Sequence, residues 1–515
     1  MRLLTTTCFL MIAFAGLRCV GGDDSVALDG GQDTSTQDTF VADVPVDTAP
    51  EADPCATAPT KDFYVNATTG SDSNNGAGPT CAFKTITAAL TASEDATAHA
   101  NATLHLAAGT YGSGETFPLV VDHGRSLVGA GAATTKIQGS STAYVTNNTG
   151  SIFDNTSVQF FVTLIAGDNI GGANGLAAAT ISNVTILPAS TVTTPTTGYI
   201  GVACTAGNGP NVGTTPPLPS ANLVLQSVTV GPNFDVAFSI GSAPSLQTAC
   251  NAKVLTSSFV GSNVGITTGA CGTVNPSNSW PSAQIGDGQV ADANTFTGTG
   301  IGVFGNGCGS VQSINTNKFV SGYRGTVLVS QPAQYFEVLG NTFDGTTSPF
   351  MGMGLQTNAG ASIAKLNDNT FANISESAAA DTAVGGTTGY GVALGGGSVA
   401  QAQRNEIHDN DNGVQVSGKP ATFDFSSDGS SVNRNQIYCN SKTLSGNGYD
   451  VVLTFSSATA LNFTGNQWDH ATPTTSVSLT TSANGTDVVT GTSGGATTTN
   501  AGAAVTTACA AGRVR

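Results

Sequence analysis

The chain has 515 residues, enough by length alone for two or three domains. Only 10% of them are charged, 65 are Gly, and Thr, Ser, Ala and Asn supply much of the remainder. That balance is too apolar and too weakly charged for a disordered chain, and it lacks long helix-forming runs. The net charge is −17, and no basic stripe exists to engage nucleic acid. Many short Val/Ile/Phe segments between Gly, Asn and Thr predict many short strands.

Taken in chain order, residues 1–18 read as a signal peptide. Arg2 precedes an apolar stretch from Cys8 to Ala15, too short to span a bilayer. Two processing sites compete. Ala13-Phe14-Ala15 is an A-x-A site that would release a chain starting at Gly16. Gly16-Leu17-Arg18-Cys19 resembles a lipobox with Arg18 where a small residue is expected, and would make Cys19 the lipidated residue. Residues 19–60 read as an acidic tether. Asp23, Asp24, Asp29, Asp33, Asp38, Asp43, Asp47, Glu51 and Asp53 lie there without a Lys or Arg.

If Cys19 carries lipid, eight cysteines remain beyond it: Cys55, Cys81, Cys204, Cys250, Cys271, Cys308, Cys439 and Cys509. An even set in an exported protein predicts disulfides, and no C-x-x-C spacing suggests a metal. Neighbour pairing is the simplest arrangement: Cys55–Cys81, Cys204–Cys250, Cys271–Cys308 and Cys439–Cys509. The expected location is the bacterial outer membrane or cell surface as a lipoprotein, with free secretion as the alternative. Membrane association would come by the lipid alone, because no later apolar 20-mer follows.

From Phe63 the residues organise into short strands. Phe63-Tyr-Val65 makes the first, the Gly/Asn/Asp stretch 70–76 a tight loop, and residues 84–94 a short helix that would cap an open end. Phe63-Tyr-Val-Asn-Ala-Thr-Thr-Gly-Ser71, Asp72 to Gly76, Phe83-Lys-Thr-Ile86 and Ala88-Ala-Leu90 resemble the opening of bacterial proteins of the pectate-lyase-like β-helix superfamily. The likeness is greatest to a bacterial domain family of that superfamily with no assigned function. Leu104-His-Leu106, Ala108-Gly-Thr-Tyr111, Pro118-Leu-Val-Val121, Leu127-Val-Gly-Ala-Gly131 and Thr135-Lys-Ile137 continue it, so it covers residues 60–140.

Farther on, Asn-x-aromatic/Ile recurs at Asn294, Asn317, Asn341, Asn369, Asn405, Asn435 and Asn466, separated by 23, 24, 28, 36, 30 and 31 residues. Looser versions precede it at Asn183-Val-Thr-Ile186, Ser227-Val-Thr-Val230 and Ser257-Ser-Phe259. A second strand with Gly at its start often follows, as in Gly300-Ile-Gly-Val303 and Gly413-Val-Gln-Val416. A period of this size predicts a solenoid. The expected fold is all-β: a single-stranded right-handed parallel β-helix over residues 61–470. Phe and Ile point inward, and Asn and Gly take left-handed corners. Stacked Asn side chains would hydrogen-bond between coils. Residues 471–515, rich in Thr, Ser and Gly, would fold back over the last coils.

The resemblance implies polysaccharide as the first substrate class to consider. Lyases of that superfamily use a Lys or Arg base with Ca²⁺ held by carboxylates, and hydrolases use clustered Asp. The densest polar cluster is Glu406, His408, Asp409 and Asp411, with Arg404 and Arg434 one coil apart. A carboxylate pair about 5–9 Å apart would suit glycoside cleavage; a polar outer face and an Asn/Asp corner explain the same residues. Asp72, Asp287 and Asp292 are the candidate metal ligands, with Asp344 and Asp368 near corners, and Ca²⁺ the only cofactor to consider. Lys318, Tyr323 and Arg324 would touch sugar or stand as ordinary surface groups. His99, His105, His123, His408 and His470 make no metal spacing.

Two functions follow. One is a non-catalytic surface module, monomeric, that binds glycan or a surface protein. The other is a polysaccharide lyase or glycoside hydrolase acting on acidic polysaccharide, which needs a groove lined by several convergent charged side chains.

Overall fold

The computed structural model describes residues 55–95, 98–140, 145–146, 159–166, 178–196, 198–204, 221–240, 250–268, 282–307, 312–330, 336–346, 352–358, 360–376, 389–427, 430, 432–442, 447–455, 460–479, 481–490, 496–500 and 504–514. Cys19, the signal segment, the tether up to residue 54 and the Cys271–Cys308 pair lie outside these residues.

Each turn of chain gives one strand to each of three sheets. Among the described residues, the first sheet has 12 strands and begins at Asp62–Val65; the second has 13 and begins at Gly109–Tyr111. The third has 14 and includes Leu119–Val121 at one edge. Successive coils pair in parallel, so the ladder hydrogen bonds run along the axis. The fold is a right-handed parallel β-helix. The exception to parallel pairing is Val145–Thr146, antiparallel on Gln159–Ala166.

The stacked strands do not stop at residue 470. Thr486–Val489 extends the third sheet and Ala496–Asn500 pairs with Leu461–Trp468 in the second. Parallel pairing thus continues from the expected β-helix into the Thr/Ser/Gly-rich segment, where Val and Thr suffice for a terminal coil. Only residues near the C-terminus return across the outside. Val505 N–H donates to Trp468 O, and Arg513 Nη1 reaches Asp411 at 2.7 Å.

The repeat builds two inward columns. In the second sheet, Phe259, Phe296, Phe319, Phe343 and Phe371 stack in strict register and are buried. Their centroids are 4.5–5.0 Å apart with planes tilted by 3–13°. Ile407, Ile437 and Trp468 continue the column. Facing it across the interior is a column of glycines in the third sheet. A Cβ on Gly302 would lie 2.6 Å from the Phe319 ring, and one on Gly354 2.7 Å from Phe371. The recurring Gly thus supplies space for the rings, which explains its place in the sequence pattern.

The second column is a ladder of seven buried asparagines. Nδ2 of Asn294, Asn317, Asn341, Asn369, Asn405 and Asn435 each donates to Oδ1 of the next, at 2.8–3.0 Å. The other Nδ2 hydrogen goes to a first-sheet carbonyl, as from Asn341 to Ile314 O at 2.8 Å. Oδ1 also takes a backbone N–H from the preceding coil, as from Asn317 N to Asn341. Every amide is satisfied in a dry interior.

The corner conformation differs from the expectation. The ladder Asn is not the left-handed residue; the one before it is, at Thr316, Gly340, Asp368 and Arg404, with φ of 56–62°. That turn swings the following Asn amide under the corner. Asn183 is itself left-handed (φ 56°), so Val184 takes the ladder slot and the Asn183 repeat sits one residue out of step.

The open end is closed by α1, Ile86–Ala92. Thr85 Oγ1 caps it by accepting from Ala88 N at 3.1 Å. Glu115 accepts from Ile86 N and Thr87 N, both at 2.8 Å, placing a carboxylate at the positive end of the helix dipole. At the other end, buried Arg125 donates to Leu90 O at 2.6 Å and Ser93 Oγ at 3.0 Å, and pairs with Asp122. Disulfides join Cys55–Cys81 beside this cap, Cys204–Cys250 between coils, and Cys439–Cys509 at the far end.

Candidate functional site

The cluster picked out by sequence divides between the outer face of the second sheet and the corner that the C-terminus covers. Glu406 and His408 do share the outer face of the second sheet, with Gln436 and Tyr438 as register partners. His408 stacks on Tyr438 at 5.1 Å, and Tyr438 Oη donates to Glu406 Oε1 at 2.6 Å. Burial first, then Glu406, holds the Tyr438 hydroxyl well above the usual phenol range. Asp409 and Asp411, however, are buried and committed. Asp409 Oδ1 accepts from Ala510 N at 2.7 Å and its Oδ2 contacts His408 Nδ1 at 2.8 Å. Asp411 holds Arg513 and accepts from Glu376 N at 2.6 Å. These two aspartates anchor the returning C-terminus, which sequence alone could not place beside them. Arg434 is half-buried on the next coil and makes no ion pair among the described residues.

The other candidates separate. Asp72 accepts from Lys84 N, Thr85 N and Thr85 Oγ1, so it organises the loop before α1. Asp287 accepts from Gln289 N at 3.1 Å and faces Lys253 at 3.7 Å. Asp292 ends a short 3-10 turn, and Asp344 accepts from Thr346 N. Lys318 stands in the second sheet, whereas Tyr323 and Arg324 belong to a third-sheet strand. His105 pairs with Asp62 at 2.9 Å, His123 with Asp122 at 3.2 Å, and His99 meets Thr60 O at 3.0 Å. Cys439, Asp469 and Cys509 lie close together, but both sulfurs are spent in a disulfide.

A second site lies at the corner between the first and second sheets and takes in two of the sequence candidates, Asp368 and Arg404. It is a groove of about 610 Å³ lined by Gly288, Asn315, Thr316, Leu339, Gly340, Lys365, Asn367, Asp368, Gln401, Gln403 and Arg404. These residues belong to consecutive coils, so the groove runs along the axis for about 20 Å at ~4.8 Å per coil. Its floor is a relay of amides. Asn367 Nδ2 donates to Gln401 Oε1 at 3.2 Å, and Gln401 Nε2 donates to Gln403 Oε1 at 3.2 Å. Gln403 N–H donates to Asn367 Oδ1 at 3.0 Å.

The charges in the groove are compensated. Arg404 grips Asp368 through Nε at 2.6 Å and Nη2 at 2.7 Å, and that hydrogen-bonded carboxylate raises the guanidinium above its ordinary range. Lys365 Nζ lies 3.0 Å from Glu337. The signal available in sequence was the amide content at alternate positions, Gln401, Gln403 and Asn367, rather than any charge.

Comparison with known proteins covers part of the chain. Residues 68–213 match the family model described as "Protein of unknown function (DUF1565)". No curated protein matches. Among solved structures, the A-module of mannuronan C-5 epimerase AlgE6 of Azotobacter vinelandii is similar at 13% identity, with a TM-score of 0.31. The alignment covers 80% of this chain and 94% of that one. The groove lies outside the residues that match the family model.

Proposed function

We propose that the chain is an exported cell-envelope β-helix that binds a hydroxyl-rich glycan along the amide-floored groove without altering it. The observation that carries this reading is the groove itself. Asn and Gln offer donor and acceptor together, which suits sugar hydroxyls, and their mutual hydrogen bonds hold them in place before a ligand arrives. The paired charges of Arg404 with Asp368 and Lys365 with Glu337 favour a neutral or weakly charged glycan over a strongly acidic one. Disulfides support export, since they persist in oxidising compartments. Anchoring through Cys19 belongs to the same proposal.

Glycan-array binding followed by calorimetry tests it. Gln403→Ala and Arg404→Ala should each weaken binding about tenfold or more, as expected for losing a hydrogen bond to the ligand. Lys318→Ala, on another face, should bind like the native chain. Absence of any glycan ligand, or unchanged affinity in both groove variants, overturns the proposal. Unsaturated products that depend on Lys365 or Arg404 would replace it with the lyase reading.

A further inference from the structure

Near the C-terminal end of the solenoid a second buried ladder changes character. Asn410 Nδ2 donates to Asn440 Oδ1 at 3.0 Å, and Asn440 Nδ2 donates to Asp450 Oδ1 at 2.8 Å. There the amides end and carboxylates begin. Tyr449 pairs with Thr486 and Val451 with Val488, so Asp450 lies opposite Asp487 on the adjacent coil. Asp469 completes a group in which one carboxylate oxygen from each residue lies within 4.8 Å of the others. Relative exposures are 1% for Asp450, 5% for Asp469 and 0% for Asp487.

Each carboxylate is held through at least one oxygen. Asp450 Oδ1 takes the Asn440 amide, and Asp469 Oδ2 takes Cys439 N at 2.7 Å. Asp487 Oδ2 takes His470 Nδ1 at 2.8 Å and Thr474 N and Oγ1 at 2.6 Å. Asp450 Oδ2 and Asp487 Oδ1 are buried with no hydrogen-bond donor. Like charges opposed on adjacent strands repel, and buried charges without partners are among the most costly features a core can hold. Burial, then Asp469 and Asp487, pushes the Asp450 carboxyl well above the usual range. Among the described residues, neither Asp450 nor Asp487 is paired with a Lys or Arg.

We propose that Asp450, Asp469 and Asp487 bind one hard divalent cation, calcium by its readier loss of water, inside the last coils. Oxygens facing each other across a calcium ion with bonds of about 2.4 Å are ~4.8 Å apart, and the three oxygens lie within that distance of one another. Magnesium keeps several of its waters, and a site this buried leaves little room for them. The ion would offset two of the three negative charges and tie together the three chain segments that carry them. This inference is independent of the groove.

The test uses the full chain stripped with EDTA. Calcium titrated by calorimetry should bind once per chain and raise the thermal midpoint, with magnesium as a parallel arm. Asp450→Asn and Asp487→Asn should each weaken binding about tenfold or more, whereas Asp292→Asn should not. Crystals of the native chain soaked in terbium should show an anomalous peak among the three carboxylates, a reading that survives even if the variants fail to fold. Tighter magnesium than calcium binding overturns the choice of ion. No peak there, no calcium-dependent midpoint, or native affinity in both Asn variants overturns the site.

Discussion

Asn369 shows what a single residue does in this molecule. Its two Nδ2 hydrogens are shared among Val338 O, Asn367 O and Asn405 Oδ1, and its Oδ1 receives Asn341 N and Nδ2. Truncation leaves several of these groups unpaired in a dry interior, each costing about 1–3 kcal/mol. Asn369→Ala is therefore expected to lower unfolding stability by about 3–5 kcal/mol in urea titrations, in the upper tail of point mutations. Thr370→Ala, next to it on the outer side, should change stability by less than about 1 kcal/mol. A loss under about 1 kcal/mol for Asn369→Ala would mean that the ladder is not a principal element of the core. The ladder was legible in sequence because the same amide returns two residues before each buried ring. The left-handed corner was not, since Thr316, Asp368 and Arg404 share no side-chain chemistry; only their backbone angle unites them. The partners of Asp409 and Asp411 were not legible for a related reason. Those partners, Ala510 and Arg513, lie about a hundred residues away in sequence.

At the scale of elements, α1 is a short helix held by its two ends rather than by its propensity. Seven residues are too few to be stable alone. Glu115 supports its start and Arg125 its finish. Arg125→Met would remove the partner of buried Asp122 and strip Leu90 O of its donor. Breaking a buried pair on one side costs about 3–5 kcal/mol. The expected result is a lower thermal midpoint together with fast amide exchange confined at first to residues 86–93. Slow exchange there in the variant would show that the helix is held by its apolar face alone. The sequence marked this helix through Ile86, Ala89 and Leu90, and it marked the strands through their apolar alternation. It did not mark the groove, because Gln401, Gln403 and Asn367 reach one surface only once the coils are stacked. Nor did it mark Asp450, Asp469 and Asp487, which belong to no motif and come together only once the last coils are stacked.

At the scale of the whole molecule, the solenoid depends on neighbour-to-neighbour pairing, so its ends are its weak points. The Cys439–Cys509 bond closes a loop with a sequence separation of 70 residues at one of them. Chain-entropy reasoning assigns such a loop about 4 kcal/mol. Cys509→Ser should lower the thermal midpoint and open residues after 500 to proteases while the coils before 400 stay resistant. Equal protease resistance in both proteins would show that Asp409 and Asp411 suffice to hold the tail.

The same bond has a mechanical meaning. A solenoid pulled by its last residue would ordinarily peel, one coil after another, because each coil is held only by the row of hydrogen bonds to its neighbour. Here tension entering at Arg515 passes through six residues to Cys509 and crosses at once to Cys439. The coils between those cysteines carry no load, and the covalent bridge hands the force to the strands upstream of them. Against drag at its C-terminus, the protein is shielded over the stretch that contains its buried aspartates.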